Sequence, residues 1–373
     1  MRLRSMERWA RVVSSATSLF GIVHLAWAGP LDPSVVDKDA TWLFHLDVEA
    51  GMASTCGRFA QDGIAKDPEA IEGVKKFGID ATKDVKSLTV YGFKPGEDDG
   101  VAILVTNSAI DKLPAKLKEE GAEDFESHIE AGITHLNWKA DGRPWHLAIK
   151  ARNDDRLVLI ASATNILETG LAVARGDKGS LNMVEAEKVA PMLQKPSKGS
   201  IFFVAARGLA DCPKFKASLF KEAHSLLIDV GEEAGKETAA KETYAKIAIE
   251  TADEQTATSM QQMVQGLIGL ACMTARSNDM KGVPESLQGV KVAAEGATLV
   301  ISARESSEDL AKQLKELGAA IKATSDGHMG VSIQQTKGDG KKAPEAAPES
   351  APAKDEPARK DGKEGKEGKK EDK

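Results

Sequence analysis

The sequence predicts an α+β fold made of two tandem, degenerate repeats of antiparallel sheet covered by helices on one face. Three observations predict it. Short stretches alternate apolar and polar residues with period two, the mark of strands that hide one face and wet the other. They come in pairs separated by turn-forming residues, as hairpins do, and lack the continuous apolar runs of a parallel doubly wound sheet. The same order of strand, helical stretch, hairpin, amphipathic helix, further strands and capped helix occurs twice along the chain.

Residues 1–28 read as a secretory signal peptide. Arg2, Arg4, Arg8 and Arg11 precede an apolar run from Val12 to Leu25, and Ala26-Trp27-Ala28 places cleavage between Ala28 and Gly29. Ser14, Ser15, Thr17, Ser18 and His24 dilute the run, which makes it shorter and more polar than a membrane span of ~20 residues. An uncleaved anchor is the alternative. The expected location is extracytoplasmic, periplasmic or secreted, with no stable membrane span after leader cleavage.

The first repeat is expected over residues 29–195. Trp42, Phe44, Leu46 and Val48 alternate against Leu43, His45 and Asp47 in its first strand. A helical stretch with Met52, Cys56, Phe59 and Ile64 follows, then a hairpin of Val85 to Phe93 and Val101 to Thr106 around Pro95-Gly96. Ile110, Leu113 and Leu117 mark an amphipathic helix. Strands follow at Ile133 to Trp138, Trp145 to Ala151 and Leu157 to Ser162, before a helix with Ile166, Leu167, Leu171 and Val173, capped by Asn165 and ended by Gly176.

The second repeat is expected over residues 196–336. Ser200 to Ala206 is a strand, the segment of Leu209, Cys212, Phe215 and Leu219 is helical, and Ser225 to Val230 with Thr243 to Glu250 forms a hairpin. Thr251-Ala252-Asp253-Glu254 caps a long helix whose core face is expected to hold Ala257, Met260, Val264, Leu267 and Ala271. A last hairpin, Val290 to Ala294 and Ala297 to Ala303, leads into a helix with Leu310, Leu314 and Leu317. Residues 337–373 are Lys, Glu, Asp, Pro, Ala and Gly without an aromatic residue, a composition too polar to bury a core, and are expected to be a disordered tail.

Charge narrows the partners. The formal net charge of −7 divides into +3 for residues 1–28, +1 for residues 337–373 and −11 for the body between them. An acidic body repels phosphate backbones, so no nucleic acid is expected, and an unidentified protein or envelope component is the expected partner. The three cysteines permit one disulfide at most. Cys56 and Cys212 each follow the first strand of a repeat and are the candidate pair, whereas Cys272 reads as a small buried hydrophobe.

The chemistry is sparse. G-x-S-x-G, H-E-x-x-H, P-loop and EF-hand patterns are absent, and no cofactor is implied. Arg175-Gly176-Asp177-Lys178-Gly179-Ser180 has the glycines of a phosphate cradle but follows a helix, where they serve as C-cap and turn. Histidines on polar strand faces are the sharpest feature. Alternation puts His45 and Asp47 on one side, about 6.6 Å apart, and with His135 and His146 alongside they make a candidate metal site. The same residues suit an ordinary solvated face, and Lys150 beside His146 opposes a cation. Trp145 and His146, at a strand start after Pro144, are the candidate ligand-binding pair, since an exposed indole can stack on a sugar.

Ser34-Val35-Val36-Asp37-Lys38-Asp39-Ala40-Thr41-Trp42, running into His45, Asp47 and Val48, resembles the openings of uncharacterised exported proteins from planctomycete-type bacteria. Asp84-Val85-Lys86-Ser87-Leu88-Thr89-Val90-Tyr91-Gly92 is similar to another of their phrases. The resemblance implies export and a tandem α+β body, and it brings no assigned activity or catalytic residue. The expected function is therefore that of an exported, non-enzymatic binding or envelope-associated protein. A metal-dependent or hydrolytic extracytoplasmic enzyme using the strand histidines of the first repeat is the alternative.

Overall fold

The computed structural model describes residues 31–64, 68–94, 99–140, 142–182, 197, 199–209, 222–235, 240–277 and 283–313, all in one compact unit. The leader, the segment with Cys212, Phe215 and Leu219, the helix end at Leu314 and Leu317, and the tail lie outside the described residues. Twelve strands are present: β1 (Trp42–Asp47), β2 (Val85–Gly92), β3 (Val101–Thr106), β4 (Glu123–Glu130), β5 (Ile133–Ala140), β6 (Arg143–Arg152), β7 (Asp155–Ala161), β8 (Ser200–Arg207), β9 (Ala223–Ala234), β10 (Lys241–Thr251), β11 (Lys291–Glu295) and β12 (Thr298–Ser306). The helices are α1 (Val48–Ala53), α2 (Thr55–Ile64), α3 (Pro68–Phe77), α4 (Leu113–Glu119), α5 (Thr164–Arg175), α6 (Glu254–Ser277) and α7 (Val283–Gln288).

The separate sheets expected for the two halves are joined into one. Its order is β11-β12-β10-β9-β8-β1-β2-β3-β7-β6-β5-β4, with antiparallel pairing throughout. The seam is β1 against β8, where Trp42 pairs with Ala206 and Phe44 with Val204. Outward from that seam, one side runs β1-β2-β3-β7-β6-β5-β4 and the other β8-β9-β10-β12-β11. The two sides match strand for strand until β5 and β4, a hairpin with no counterpart among the described residues of the shorter side.

Period-two alternation gives the sheet two faces. Trp42, Phe44 and Leu46 define a tryptophan face that continues through Val90, Ala102, Ile160, Leu147, Trp145 and Trp138. Leu43, His45 and Asp47 define the opposite, histidine face. In the first half both faces are covered, which corrects the expectation of helices on one face only. Ile110, Leu113 and Leu117, with Phe77 of α3, pack onto the tryptophan face against Val90, Leu136, Leu147 and Ile160. Leu167 and Leu171 of α5, with Val35 and Val36, pack onto the histidine face against Leu43, Val101, Ile103 and Leu159. Two buried layers explain why β7 reads Leu157-Val158-Leu159-Ile160 without a polar residue.

The N-terminal strap at Val35 and Val36 is held by Asp37, fully buried and paired with Lys178 at 2.6 Å. The backbone there also bonds the loop after α5, Lys38 N–H to the Gly179 carbonyl and Leu181 N–H to the Val36 carbonyl. Gly176 stands at φ 83° as the α5 C-cap, the left-handed conformation for which a glycine carries no Cβ penalty. The start of α5 differs from expectation: Ala163 occupies the N-cap and makes no side-chain cap bond.

In the second half α6 lies on the tryptophan face, with Met260 and Val264 packed on Leu226, Ile247, Ile249 and Leu299. Its core line is Ala257, Met260, Val264 and Cys272; Leu267 and Ala271, expected in the core, face outward. Spacings of three, four and four-plus-four residues hold that line on one side, whereas 267 and 271 rotate away from it. On the histidine face of this half Phe203, Ala205, Asp229 and Tyr244 are buried, whereas Lys246, Glu250 and Arg304 are exposed. Among the described residues, no helix is long and apolar enough to cross a membrane.

Candidate functional site

Register relates the histidines to one another. Reading across the histidine face, His45 pairs with Thr89, Thr89 with Ile103, Ile103 with Leu159, Leu159 with Ala148, Ala148 with His135, and His135 with His128. His45, Asp47, His135 and His146 therefore do share a face, as alternation predicts. Five strand spacings separate His45 from His135, about 24 Å, so the four do not gather around one ion.

The His45 end is a buried polar row. His45 is 4% exposed and its Nδ1 lies 2.9 Å from the Thr89 hydroxyl. Asp47 turns its carboxylate to cap α1, accepting from the Ala50 N–H at 2.7 Å. Burial pushes its carboxyl up to about 7, against the opposing pull of that backbone bond. A hydroxyl, an imidazole and a carboxylate on adjoining positions have the residue types of a nucleophilic set, but Asp47 serves the helix cap and the imidazole is sealed from solvent.

His146 and Trp145 separate by side of the sheet. His146 Nδ1 lies 2.8 Å from Asn137 Oδ1 and 3.4 Å from the Thr164 hydroxyl, on the histidine face. Trp145 is buried on the other face with Leu136, Leu147 and Ala140. It forms core, so the expected stacking platform is not presented. Cys56 is a free thiol whose sulfur lies 3.9 Å from both the Thr243 hydroxyl and the Ser307 carbonyl. Burial raises its pKa, and its contacts join the two halves by packing. Cys212, its expected partner, lies outside the described residues.

Donors converge at the far end of the row, on the β4–β5 hairpin. Ala131 and Gly132, at φ 49° and 76°, form a two-residue turn with both residues left-handed, which suits the twist of a tight hairpin. That turn sets His128 opposite His135, and their rings stack with centroids 5.0 Å apart and planes 8° from parallel. Glu130, two residues beyond His128, falls on the same face. One ligand atom from each of His128, Glu130 and His135 lies within 4.8 Å of the others.

The three donors differ in how they are held. His135 is 7% exposed, and its Nε2 is buried without a hydrogen-bond partner. An unpaired buried ring nitrogen is costly unless something binds it. Burial lowers the His135 pKa, reinforced by His128 and opposed by Glu168 and Glu130, so the ring stays neutral and able to offer a lone pair. His128 and Glu130 are exposed on the edge strand. Alternation alone places His135 on this face, whereas His128 and Glu130 are not legible there because Glu123–Glu130 is acidic and lacks the apolar signal of a strand. The signal lay in the turn: a two-residue loop at Ala131-Gly132 sets residue 128 opposite residue 135.

A recess of about 540 Å³ in the second half is lined by Thr243, Tyr244, Arg304, Glu305 and Gln313 among others. Its acceptor Glu305 is already bonded by Ser286 at 3.1 Å and Gln313 at 2.7 Å, which leaves it a structural role. No family model matches the chain, and neither a curated protein nor a solved structure matches it.

Proposed function

We propose that this is an extracytoplasmic, non-enzymatic binding protein that takes up a divalent transition-metal ion of the zinc type through His128, Glu130 and His135. The observation that carries the reading is the buried, unpaired Nε2 of His135 beside two exposed donors. Two imidazoles and one carboxylate form a donor set that suits Zn²⁺ and leaves a coordination position for water. Binding is favoured over turnover because two of the three donors, His128 and Glu130, stand on the exposed edge strand β4, open to exchange. The alternative enzyme centred on His45, Asp47, His135 and His146 has against it the burial of His45 and Asp47 and the five strand spacings between His45 and His135.

The address rests on the leader-like residues 1–28. The matching strand orders on the two sides of the β1–β8 seam support the reading of tandem repeats, with the β4–β5 hairpin an addition to the first. All three proposed ligands then lie on the added piece.

Calorimetric titration of the purified protein with Zn²⁺ tests the reading. One ion per chain is expected, with affinity reduced at least about 100-fold by His135→Ala or His128→Ala and about ten-fold by Glu130→Gln. His45→Ala should leave the affinity unchanged. Stoichiometric binding that survives both hairpin histidine substitutions, or no binding at micromolar Zn²⁺, rejects it.

A further inference from the structure

The outward side of α6 is unusual in this chain. The protein is 29% charged, yet no charged residue stands between Glu254 and Arg276. Most of these positions are exposed, and the exposed ones include Met263, Leu267, Leu270 and Met273, the last at 69%. A solvated helix face normally carries Lys and Glu, and an apolar one calls for a cover.

The pattern of this face points to the cover. Ser259, Met263, Gly266, Leu270, Met273 and Ser277 are spaced four, three, four, three and four residues apart, the seam of a helix that packs lengthwise on another helix. The seam is symmetrical about position 268. Turned end for end, it sets Leu270 opposite Gly266, Met263 opposite Met273 and Ser259 opposite Ser277. The one notch thus meets the one central knob, twice, as a two-fold interface between identical chains requires. A Cβ built on Gly266 meets nothing within 4 Å of its own chain, so the absence of a side chain there is not demanded by the fold.

Charge selects the same occupant. The body carries −11, and two copies approaching through most surfaces meet like charge; along α6 they meet none. The face also lacks the Lys and Arg that would draw it to an anionic lipid surface or a nucleic acid. The four large apolar side chains expose roughly 450 Å² per copy, about 900 Å² for a pair, which with the flanking polar residues reaches the low end of specific interfaces and fits a reversible dimer.

We propose that the protein self-associates through α6, two copies packing these helices antiparallel with Leu270 of each seated on Gly266 of the other. The proposal is independent of the metal reading. Sedimentation velocity of the purified full chain from 1 to 200 μM, without added metal, is expected to show mass rising from one chain toward two (concentrations on the order of those at which weak dimers form).

Gly266→Leu fills the notch while leaving the monomer folded, and is expected to weaken association at least about 30-fold. Leu270→Glu should do the same. Gly266→Leu combined with Leu270→Ala exchanges knob and notch and should recover most of the loss. That rescue is something a merely misfolded variant would not show. A chain monomeric at every concentration, or a dimer that both single substitutions leave intact, overturns the proposal. So does slow thiol labelling of Leu270→Cys at all dilutions, which would mean that the chain's own residues cover the face, or flotation of the monomer with neutral lipid vesicles.

Discussion

The two sides of the β1–β8 seam repeat one strand order yet differ in what lies on their shared histidine face. In the first half α5 and the N-terminal strap roof that face over Leu43, Ile103 and Leu159, and His45 and Asp47 of the same face are buried as well. In the second half the equivalent face buries Asp229 and Tyr244 near the seam but exposes Lys246, Glu250 and Arg304. A roof changes what a polar strand residue must do. Under cover, a histidine must find a partner or leave a nitrogen unsatisfied; in the open, a lysine is simply solvated. The donor cluster arises where the roof runs out, at the β4–β5 hairpin that, among the described residues, only one half possesses.

Two glycines separate the halves most strongly. Each half keeps one in its second strand beneath an aromatic ring: Gly92 of β2 under Trp42, Gly231 of β9 under Tyr244. A Cβ on Gly231 would come 2.3 Å from the Gly199 carbonyl oxygen, which is backbone, whereas on Gly92 it would come 2.6 Å from the Trp42 ring, which is side chain. Gly231→Ala should cost about 3 kcal/mol and Gly92→Ala about 1–2 kcal/mol, read from denaturant midpoints. Equal costs would remove the distinction between a rigid second half and a yielding first.

A pH-dependent effect comes next. The Asp47 carboxyl is raised from an unfolded value of 3.8 to about 7, so the folded state holds a proton the unfolded state has lost. That contribution is present below about pH 4 and is lost as pH rises to about 7. Asp47→Asn keeps an N-cap acceptor and removes the penalty, and should stabilise by about 1–2 kcal/mol at pH 8, a value discounted for solvent access. The gain should vanish near pH 4. Thermal melts of the two proteins across this range check it.

The smallest effect contrasts two lysines of the same face. Lys150 of β6 donates to the Ala174 carbonyl in the last turn of α5 at 2.7 Å, and Lys246 of β10 is exposed. Lys150→Ala should cost about 1 kcal/mol and Lys246→Ala less than about 0.5 kcal/mol.

Much of the fold was legible because hairpins announce themselves locally. Alternation at Trp42–Asp47 and turn residues before Val101 placed strands and faces, and Gly176 marked the end of α5. The strand order was not legible, since alternation says which face a side chain takes and nothing about which strand lies beside it. His45 and His135 were rightly put on one face, and their distance depended on four intervening strands. Strand β4 escaped because Glu123, Asp124, Glu126 and Glu130 suit an exposed edge, where charge guards against further pairing and erases the apolar signal. The apolar character of Leu267 and Ala271 suggests the core, yet both face outward on α6, since apolarity alone does not fix which side of a helix is covered.

The seam also dictates an order of events during synthesis. Phe44 of β1 waits for Val204 of β8, roughly 160 residues downstream, a late and non-local closure. Until then a nascent first half can build β2 through β7 while one flank of β1 keeps bare amides beside Leu43, Phe44 and Leu46. Such a flank is a template for the same flank on a neighbouring chain. Ribosomal stalling or truncation between the halves should therefore yield aggregates, not a soluble half-protein.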